Sequence, residues 1–345
     1  MATLLVMGLL AVGCSGDGDG DTAALRSPTP TPSPSPSPSP TPSPSPTGPE
    51  APLTGAVVED PDVVERPAVL VKIENTAAAR PQSGLDAADV VFEELVEGGV
   101  TRFLAVFHSR TPDAVGPIRS GRLVDVGLAP AYDGLFVFSG ARDEVVAALR
   151  GSGMPLQGED GTTLYRERSR SAPHNLYANG ETLFEVASGI EALSPPEVPW
   201  TFDDQAPSGG EPATELDVVM SNVARAGYEY DDDGGVYRRL QNGQPLTVTG
   251  DGQIGAANVV VLGVNVGLGG CCDTSGSRYV SVQTEGEGRA LIARDGRVYE
   301  ARWSKPAASD HYRFTTVDGA PFPLAPGPSW IHLAPSENLP AEGSS

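Results

Sequence analysis

The chain has 345 residues, including 33 Pro and 41 Gly, and its formal net charge is −22. Ten of the Pro residues lie between Ser27 and Gly48, so the composition indicates a folded part joined to a low-complexity part. Such an acidic surface repels nucleic acid and anionic lipid, and we therefore expect no DNA or RNA partner.

The chain begins with an apolar run that ends at Cys14. The run is too short to span a bilayer as a helix and is typical of a secretion signal. Ala11-Val12-Gly13-Cys14 resembles a bacterial lipobox, although Ala stands where Leu is usual and no basic residues precede the run. We expect residues 1–13 to be a lipoprotein signal peptide and Cys14 to carry lipid on the extracytoplasmic face of a bacterial cell membrane. The alternative is an incidental Cys in an ordinary cleaved signal peptide.

From Ser27 to Gly48 the chain alternates Pro with Ser or Thr. Pro fixes φ and has no backbone N–H, so this segment is expected to be an extended, polyproline-like spacer. At ~3.1 Å per residue it reaches on the order of 65 Å. Residues 14–60 are therefore assigned to the lipidated Cys and a Pro/Ser/Thr-rich linker that lifts the folded part off the membrane.

Residues 61–195 mix strand and helix patterns and are expected to form an α/β domain, a sheet covered on one or both faces. Strands are predicted over 67–73, 89–96, 100–109 and 134–139, and helices over 123–131, 142–150 and 179–188. Glu97-Gly98-Gly99 supplies a turn between the second and third strands. A helix over 86–96 is the alternative, because Ala and Glu are good helix formers.

Residues 196–212 are rich in Pro, Gly, Ser and Asp and are predicted to be an interdomain linker. Beyond them, tight-turn dipeptides separate alternating segments, which indicates hairpins: Asn242-Gly243, Asp295-Gly296 and Asp318-Gly319. Residues 213–336 are expected to be mostly β with a final strand at 329–333, and residues 337–345 a disordered tail. The expected fold class is α+β, with an N-terminal mixed α/β domain around a central sheet followed by a smaller, mostly β C-terminal domain.

Familiar catalytic motifs are absent from the sequence, including the Gly-x-Ser-x-Gly elbow, His-Glu-x-x-His and the phosphate-binding loop. The four His residues are isolated from one another, so neither a metal site nor a cofactor is expected. Glu93, Glu94 and Glu97 are candidates for paired carboxylates in general acid–base chemistry, and Glu93 and Glu97 are the candidate acid or base of an enzyme. The even spacing of Glu93 and Glu97 predicts that they share a face of the strand, with Glu94 on the other face. An ordinary polar face, or ion pairs with Arg102, is the alternative.

The window from Arg102 to Arg170 holds nine basic and eight acidic residues, so the rest of the chain carries the acidic excess. Within it, Arg102, Arg119 and Arg122 stand beside Gly and Ser, where guanidinium groups suit a phosphate or carboxylate. We expect these arginines and Ser120 to bind an anionic group. The alternative is that they form internal ion pairs with acidic residues: Asp89, Glu97 and Asp125.

A further short motif, Pro173-His174-Asn175-Leu176-Tyr177, places an imidazole and an amide before a predicted helix. His174 and Asn175 either bind a ligand or tie down a loop. Five motifs in this order resemble the YerB-type bacterial lipoproteins: Asn75, Arg80–Leu85, Glu97–Phe103, Gly116–Ser120 and Pro173–Tyr177. The resemblance covers most of the chain from about Pro61 to Pro335. It implies an exported, lipid-anchored protein with a domain of unknown function and a second, smaller domain, and it implies no established activity.

Two functions fit these residues. The first is a binding or scaffold protein that recognises an anionic cell-envelope ligand or a protein partner through Arg102, Arg119, Arg122 and His174. The second is a cell-envelope hydrolase acting on glycan or peptide, with acid and base drawn from Glu93, Glu97, His108 and His174. The missing nucleophile and metal motifs favour the first function.

The adjacent residues Cys271 and Cys272 are the only thiols left once Cys14 is lipidated. An exported protein meets oxidising conditions, so a vicinal disulfide is one expectation for this pair. Two free thiols are the alternative, because the ring that such a disulfide closes is small and strained.

Overall fold

The computed structural model of the chain describes residues 48–250, 252–270 and 278–341. Cys14, the linker up to residue 47 and the pair Cys271 and Cys272 lie outside the described residues. Residues Pro46–Ser345 form one compact unit. No helix within the described ranges has both the length and the apolar character needed to cross a membrane.

The described chain contains three α-helices, α1 (Leu123–Leu128), α2 (Asp143–Gly151) and α3 (Gly180–Ser188). The strands before residue 195 are β1 (Val69–Glu74), β2 (Val90–Leu95), β3 (Thr101–Phe107), β4 (Leu135–Val137), β5 (Leu156–Gln157), β6 (Leu164–Arg166) and β7 (Leu176–Ala178). The strands after residue 195 are β8 (Glu211–Pro212), β9 (Glu215–Val219), β10 (Arg225–Asp231), β11 (Val236–Gln241), β12 (Gln244–Pro245), β13 (Gly255–Ala256), β14 (Asn258–Val264), β15 (Val266–Leu268), β16 (Val280–Val282), β17 (Gly286–Arg294), β18 (Arg297–Lys305), β19 (Arg313–Thr316) and β20 (Ser329–Pro335). Short 3-10 helices cover Pro61–Glu65, Ala77–Ala79, Leu85–Ala87, Glu97–Gly99, Ala129–Tyr132 and Ser336–Asn338.

One long sheet runs through both parts of the folded chain, in the strand order β19-β18-β17-β14-β20-β2-β3-β1-β4-β5, with β8 also paired to β18. Strand β20 lies between β2 and β14 and is parallel to both. A second sheet has the order β12-β11-β10-β9, with β13 on β11. The first sheet is therefore built from strands that precede residue 195 and strands that follow residue 212.

The predicted fold class is confirmed: a mixed α/β part with a central sheet is followed by a smaller, mostly β part. The second and third predicted strands form the antiparallel hairpin β2–β3, so the helical alternative over 86–96 is wrong. The predicted last strand is β20. Helix α3 begins after Asn179, whose side chain accepts a hydrogen bond from the Thr182 amide at 3.1 Å. The domain boundaries 61–195, 196–212 and 213–336 stay predictions.

Two of the three tight turns predicted in the second part have the backbone that two-residue hairpins require. Asn242 and Gly243 have φ values of 51° and 75°, and Asp295 and Gly296 have 51° and 68°. Positive φ at both central residues matches the right-handed twist of the flanking strands. The first turn joins β11 to β12 and the second joins β17 to β18.

Side chains of β1, β2 and β3 alternate between two buried faces of the long sheet. One face packs against α1 and α2, with a core that includes Leu70, Phe92, Leu104, Val124 and Leu149. The opposite face packs against α3 and the second sheet, with a core that includes Val71, Val91, Ala105, Leu183 and Tyr237. Burial on both faces explains the nearly continuous apolar runs of these strands. Charged residues lie near one end of each strand, at the end of β1 and β2 and at the start of β3, and they contribute to the candidate site and to two buried clusters.

Candidate anion-binding site

Three Pro-bearing segments that are far apart in sequence meet near the end of β1. Gly116 exchanges two backbone hydrogen bonds with Ser83, at 2.8 and 3.2 Å, and the Ile118 amide donates to the Leu176 carbonyl at 2.7 Å. A Cβ at Gly116 would lie 2.7 Å from the ring of Tyr177, so only glycine fits this approach. The segments that carry Arg80–Leu85, Gly116–Ser120 and Pro173–Tyr177 are therefore neighbours in the fold.

A pocket of about 500 Å³ opens beside these segments. We call it the arginine pocket because its charged lining residues are four arginines and one glutamate: Arg102, Arg119, Arg122, Arg142 and Glu97. The hydroxyls of Ser120 and Ser139 also line it, with their oxygens 3.4 Å apart. Four of the residues predicted to bind an anion are thus brought to one pocket, namely Arg102, Arg119, Ser120 and Arg122.

Arg102 occupies the most buried position among these arginines. It lies on β3, opposite Glu74 of β1 and Glu94 of β2, and it is only 9% exposed. Its Nη1 donates to the Ser120 carbonyl at 2.9 Å. Burial, together with the nearby charges of Arg122 and Arg119, lowers the pKa of Arg102 to about 10. The lining of the pocket therefore carries more positive charge than its single carboxylate, Glu97, can balance.

Arg119 connects the pocket to the Pro173 segment. Its Nε lies 3.4 Å from Oε2 of Glu74, and its Nη1 donates to the Pro173 carbonyl at 3.3 Å. Its backbone amide donates to the Lys72 carbonyl at 2.8 Å, which attaches the loop to β1. Its side chain remains 22% exposed, so it lies at the pocket surface.

Arg122 and Arg142 lie on the other side of the pocket. Arg122 donates from Nε to Oε2 of Glu97 at 2.8 Å and from Nη1 to the Gly121 carbonyl at 3.0 Å. Arg142 lies 3.5 Å from Glu144, and its guanidinium is 4.8 Å from the ring centre of Tyr279. The predicted ion pair with Glu97 is present at Arg122, whereas Arg119 pairs with Glu74, which sequence reasoning missed.

Arg142 was also missed as a pocket residue. It precedes helix α2 and follows a glycine-containing loop, a position that carries no local signal of ligand binding. Asp89, a third predicted partner of the arginines, accepts instead from the His108 and Ser109 amides at 2.6 and 3.0 Å. Only the folded chain brings Arg142 to the arginine pocket.

A buried ionic cluster lies beneath the arginine pocket. The side chains of Lys72, Glu94 and Asp125 are fully buried, and Lys72 donates to Glu94 and, at 2.6 Å, to Oδ1 of Asp125. The other oxygen of Asp125 accepts from the Arg122 amide at 2.6 Å. Burial raises the pKa of Glu94 to about 8; Lys72 opposes this rise and Asp125 adds to it. The cluster fixes the loop that presents Arg119 and Arg122.

The predicted acid–base residues do not come together. Strand β2 ends at Leu95, so Glu97 lies in the following 3-10 turn and contacts Arg122 on the side of Glu94. The prediction that Glu93 and Glu97 share a face is therefore wrong, because strand alternation stops before Glu97. His108 is buried elsewhere, with Nε2 3.0 Å from the Arg66 carbonyl, and burial lowers its pKa to about 4.

Glu93 belongs to a second buried cluster, on the opposite face of the sheet. Its Oε2 accepts from Arg239 of β11 at 2.9 Å and lies 3.1 Å from Nδ1 of His332 of β20. Thr101 donates to its other oxygen at 2.6 Å, and Tyr228 contacts Nε2 of His332 at 2.7 Å. Burial raises the pKa of Glu93, but Arg239, His332 and Thr101 outweigh that effect and lower it to about 2. This cluster links the two sheets and lines no part of the arginine pocket.

His174 and Asn175 have different surroundings. Nδ1 of His174 lies 2.8 Å from the same Glu74 oxygen that Arg119 approaches, and its side chain is 27% exposed. Asn175 accepts from Arg166 at the end of β6 at 3.0 Å and donates to the Arg170 carbonyl at 3.3 Å, both within the β6–β7 hairpin. The structure therefore places His174 beside the arginine pocket and gives Asn175 contacts that tie down the loop.

The fold and these motifs define a family. Residues 53–192 match the N-terminal domain, and residues 216–331 the C-terminal domain, of a protein family of unknown function, DUF3048. The chain belongs to this family. It is 32% identical over 296 residues to the protein named "Putative lipoprotein YerB" of Bacillus subtilis (strain 168), covering 83% of this chain and 86% of that protein. It also matches the crystal structure of YerB from Bacillus subtilis with a TM-score of 0.70 and 30% identity, over 82% of this chain and 95% of that one. The resemblance found in the sequence is thereby confirmed.

Proposed function

We propose that this protein is a lipid-anchored envelope protein whose arginine pocket binds an anionic group of a cell-envelope ligand or of a protein partner. The observation that carries the proposal is the gathering of Arg102, Arg119, Arg122 and Arg142 around one cleft of a chain whose net charge is −22. Positive charge concentrated in a cleft raises the local concentration of anions.

The geometry of the pocket suits an oxyanion. Guanidinium groups donate paired hydrogen bonds to phosphate or carboxylate, and the Ser120 and Ser139 hydroxyls add neutral donors. Arg122 is held by Glu97 and Arg119 by Glu74, so both side chains are oriented before a ligand arrives. Guanidinium groups that are already held in place lose little conformational freedom when a ligand binds, so binding is stronger.

The proposed location follows from the N-terminal run, from the Pro-rich segment and from the printed name of the Bacillus relative. Cys14 carries the lipid, the protein lies on the extracytoplasmic face of the membrane, and the Pro-rich segment from Ser27 to Gly48 holds the folded part away from it. The hydrolase alternative is not proposed, because Glu93, Glu97 and His108 lie in three separate environments.

Isothermal titration calorimetry on the full chain in detergent tests the pocket, with inorganic phosphate and propionate as probes. Loss of one charge-assisted hydrogen bond costs roughly 1.5–3 kcal/mol, so Arg119→Ala and Arg122→Ala should weaken binding about tenfold to a hundredfold. Arg119→Lys should also weaken it, because an ammonium keeps the charge and loses the planar fork.

The matched control is Arg313→Ala, which removes an exposed arginine of β19 and should leave binding unchanged. Thermal melts separate binding from structure. A large loss of melting temperature in Arg119→Ala and Arg122→Ala, with no stabilisation of the parent by either anion, would leave a structural ion-pair network and reject the binding site.

A further inference from the structure

Glu74, the last residue of β1, holds two side chains next to each other at the protein surface. Its carboxylate is 2% exposed, and Oε2 lies 2.8 Å from Nδ1 of His174 and 3.4 Å from Nε of Arg119. Its Oε1 accepts from the Thr76 hydroxyl at 2.7 Å. Because Arg119 also lines the arginine pocket, the shared Glu74 carboxylate places the imidazole of His174 next to a residue of that pocket.

The Glu74 carboxylate determines which nitrogen of His174 carries the proton. An ionised carboxylate only accepts hydrogen bonds, so Nδ1 of the neutral ring donates and Nε2 presents a lone pair. Nε2 makes no hydrogen bond to any group in residues 48–250, 252–270 or 278–341. The result is an oriented, partly exposed hydrogen-bond acceptor beside a cationic pocket.

The size of the pocket indicates a ligand larger than a bare oxyanion. A volume of about 500 Å³ falls in the range of about 300–1,000 Å³ that small-molecule pockets occupy. Its polar lining includes the paired hydroxyls of Ser120 and Ser139 in addition to the arginines. A ligand with a polar, hydroxylated body fits this lining better than an apolar one.

We propose that the ligand is a hydroxyl-bearing anion, such as a polyol phosphate, a sugar phosphate or a hydroxy acid, and that Nε2 of His174 accepts a hydrogen bond from its hydroxyl. The anionic group lies on Arg102, Arg119 and Arg122, and the hydroxyl lies on the His174 side of Arg119. This inference rests on the proposed anion binding and adds the chemical class of the ligand. Glu74 acts as a positioning residue for both His174 and Arg119.

The test compares probes that differ only in their hydroxyls. Calorimetry on the full chain, at mildly alkaline pH where imidazole is ordinarily neutral, uses glycerol 3-phosphate against n-propyl phosphate, and glycerate against propionate. One neutral hydrogen bond should favour the hydroxylated member by about threefold to tenfold. In His174→Phe this ratio should fall to about one, because phenyl offers no acceptor in the ring plane.

Two more variants separate recognition from folding. His174→Leu repeats the loss of the acceptor with a different shape, and His174→Gln, whose carbonyl can accept, should restore part of the preference. Melting temperatures report whether each variant is folded. The pair of probes that binds more tightly identifies phosphate or carboxylate as the anionic group.

Equal binding of hydroxylated and deoxy probes by the parent, or an unchanged ratio in both His174→Phe and His174→Leu, overturns hydroxyl recognition and leaves the anion pocket standing. Failure of the parent to bind either phosphate or either carboxylate overturns the proposed anion binding and this inference together. A ratio that falls to about one in the two variants and partly recovers in His174→Gln supports the inference.

Discussion

Replacement of Glu93 by Gln should lower the free energy of unfolding by more than the removal of an exposed charge does. Glu93 and Arg239 are both fully buried, with 2.9 Å between Oε2 and Nη2. Glutamine has nearly the shape of glutamate and removes only its charge. In Glu93→Gln the guanidinium of Arg239 would therefore stay buried, between the rings of Tyr228 and Trp330, without a counter-charge.

The magnitude follows from the pKa of Glu93. The pKa falls from 4.5 to about 2 in the folded chain, and at about 1.4 kcal/mol per unit this corresponds to about 3 kcal/mol. Removal of one partner of a buried ion pair costs about 3–5 kcal/mol, which agrees. Because the folded pKa is the lower one, this stabilisation is present above pH 4.5 and is lost as the pH falls towards about 2.

Urea denaturation at neutral pH and at a series of acidic pH values measures the effect. We expect Glu93→Gln to lower the free energy of unfolding by about 3 kcal/mol at neutral pH. The variant should also lack the part of the parent's loss of stability that comes from protonation of Glu93 below pH 4.5. The control is Asp217→Asn, which breaks an exposed pair with Arg225 and should cost at most about 1 kcal/mol. A loss in Glu93→Gln no larger than that of the control would refute the reasoning. Arg239→Met in the Glu93→Gln background should recover part of the loss, because it removes the unpaired charge.

Three other outcomes are expected. The raised pKa of Glu94 means that its contribution to stability is full below pH 4.5 and is lost as the pH rises to about 8. Urea denaturation across that window should show a decline in the free energy of unfolding of the parent and a smaller decline for Glu94→Gln. Equal declines in the two proteins would contradict this. Cys14→Ala should leave the protein unprocessed or move it from the membrane fraction to the medium, and a variant that is cleaved and fractionates like the parent would reject the lipid anchor. Mass spectrometry after alkylation without reductant decides the state of Cys271 and Cys272, since two alkyl additions on this pair mean two free thiols and none means a disulfide.

The elements predicted correctly are those whose signals are local. The hairpin β2–β3 follows from β-branched runs around Gly98 and Gly99, and α3 follows from the capping side chain of Asn179. The face of Glu97 was predicted wrongly because the exact end of a strand is not encoded in its alternation. The predicted strand runs to residue 96 and β2 ends at Leu95, so Glu97 lies in the turn, where strand alternation no longer applies.

The site was predicted in part, for a physical reason. Arg102, Arg119, Ser120 and Arg122 stand in Gly-containing segments that look like binding loops, and the fold brings them to one pocket. Their partner Glu74 was missed because it ends a buried strand, and its contact with His174 spans 100 residues of sequence. Contacts between residues so far apart in the sequence depend on the pairing of β1, β2 and β3, which no local pattern specifies.

The position of β20 has a consequence for how the chain folds during its synthesis. This strand is close to the C-terminus, yet it fills the middle of the long sheet between β2 and β14. The long sheet cannot close until the ribosome has made residue 335. A chain arrested or clipped earlier exposes the unpaired edge of β2, which invites pairing with other chains. Formation of the long sheet therefore depends on a contact between β2 and β20 that is distant in sequence, and such contacts form slowly.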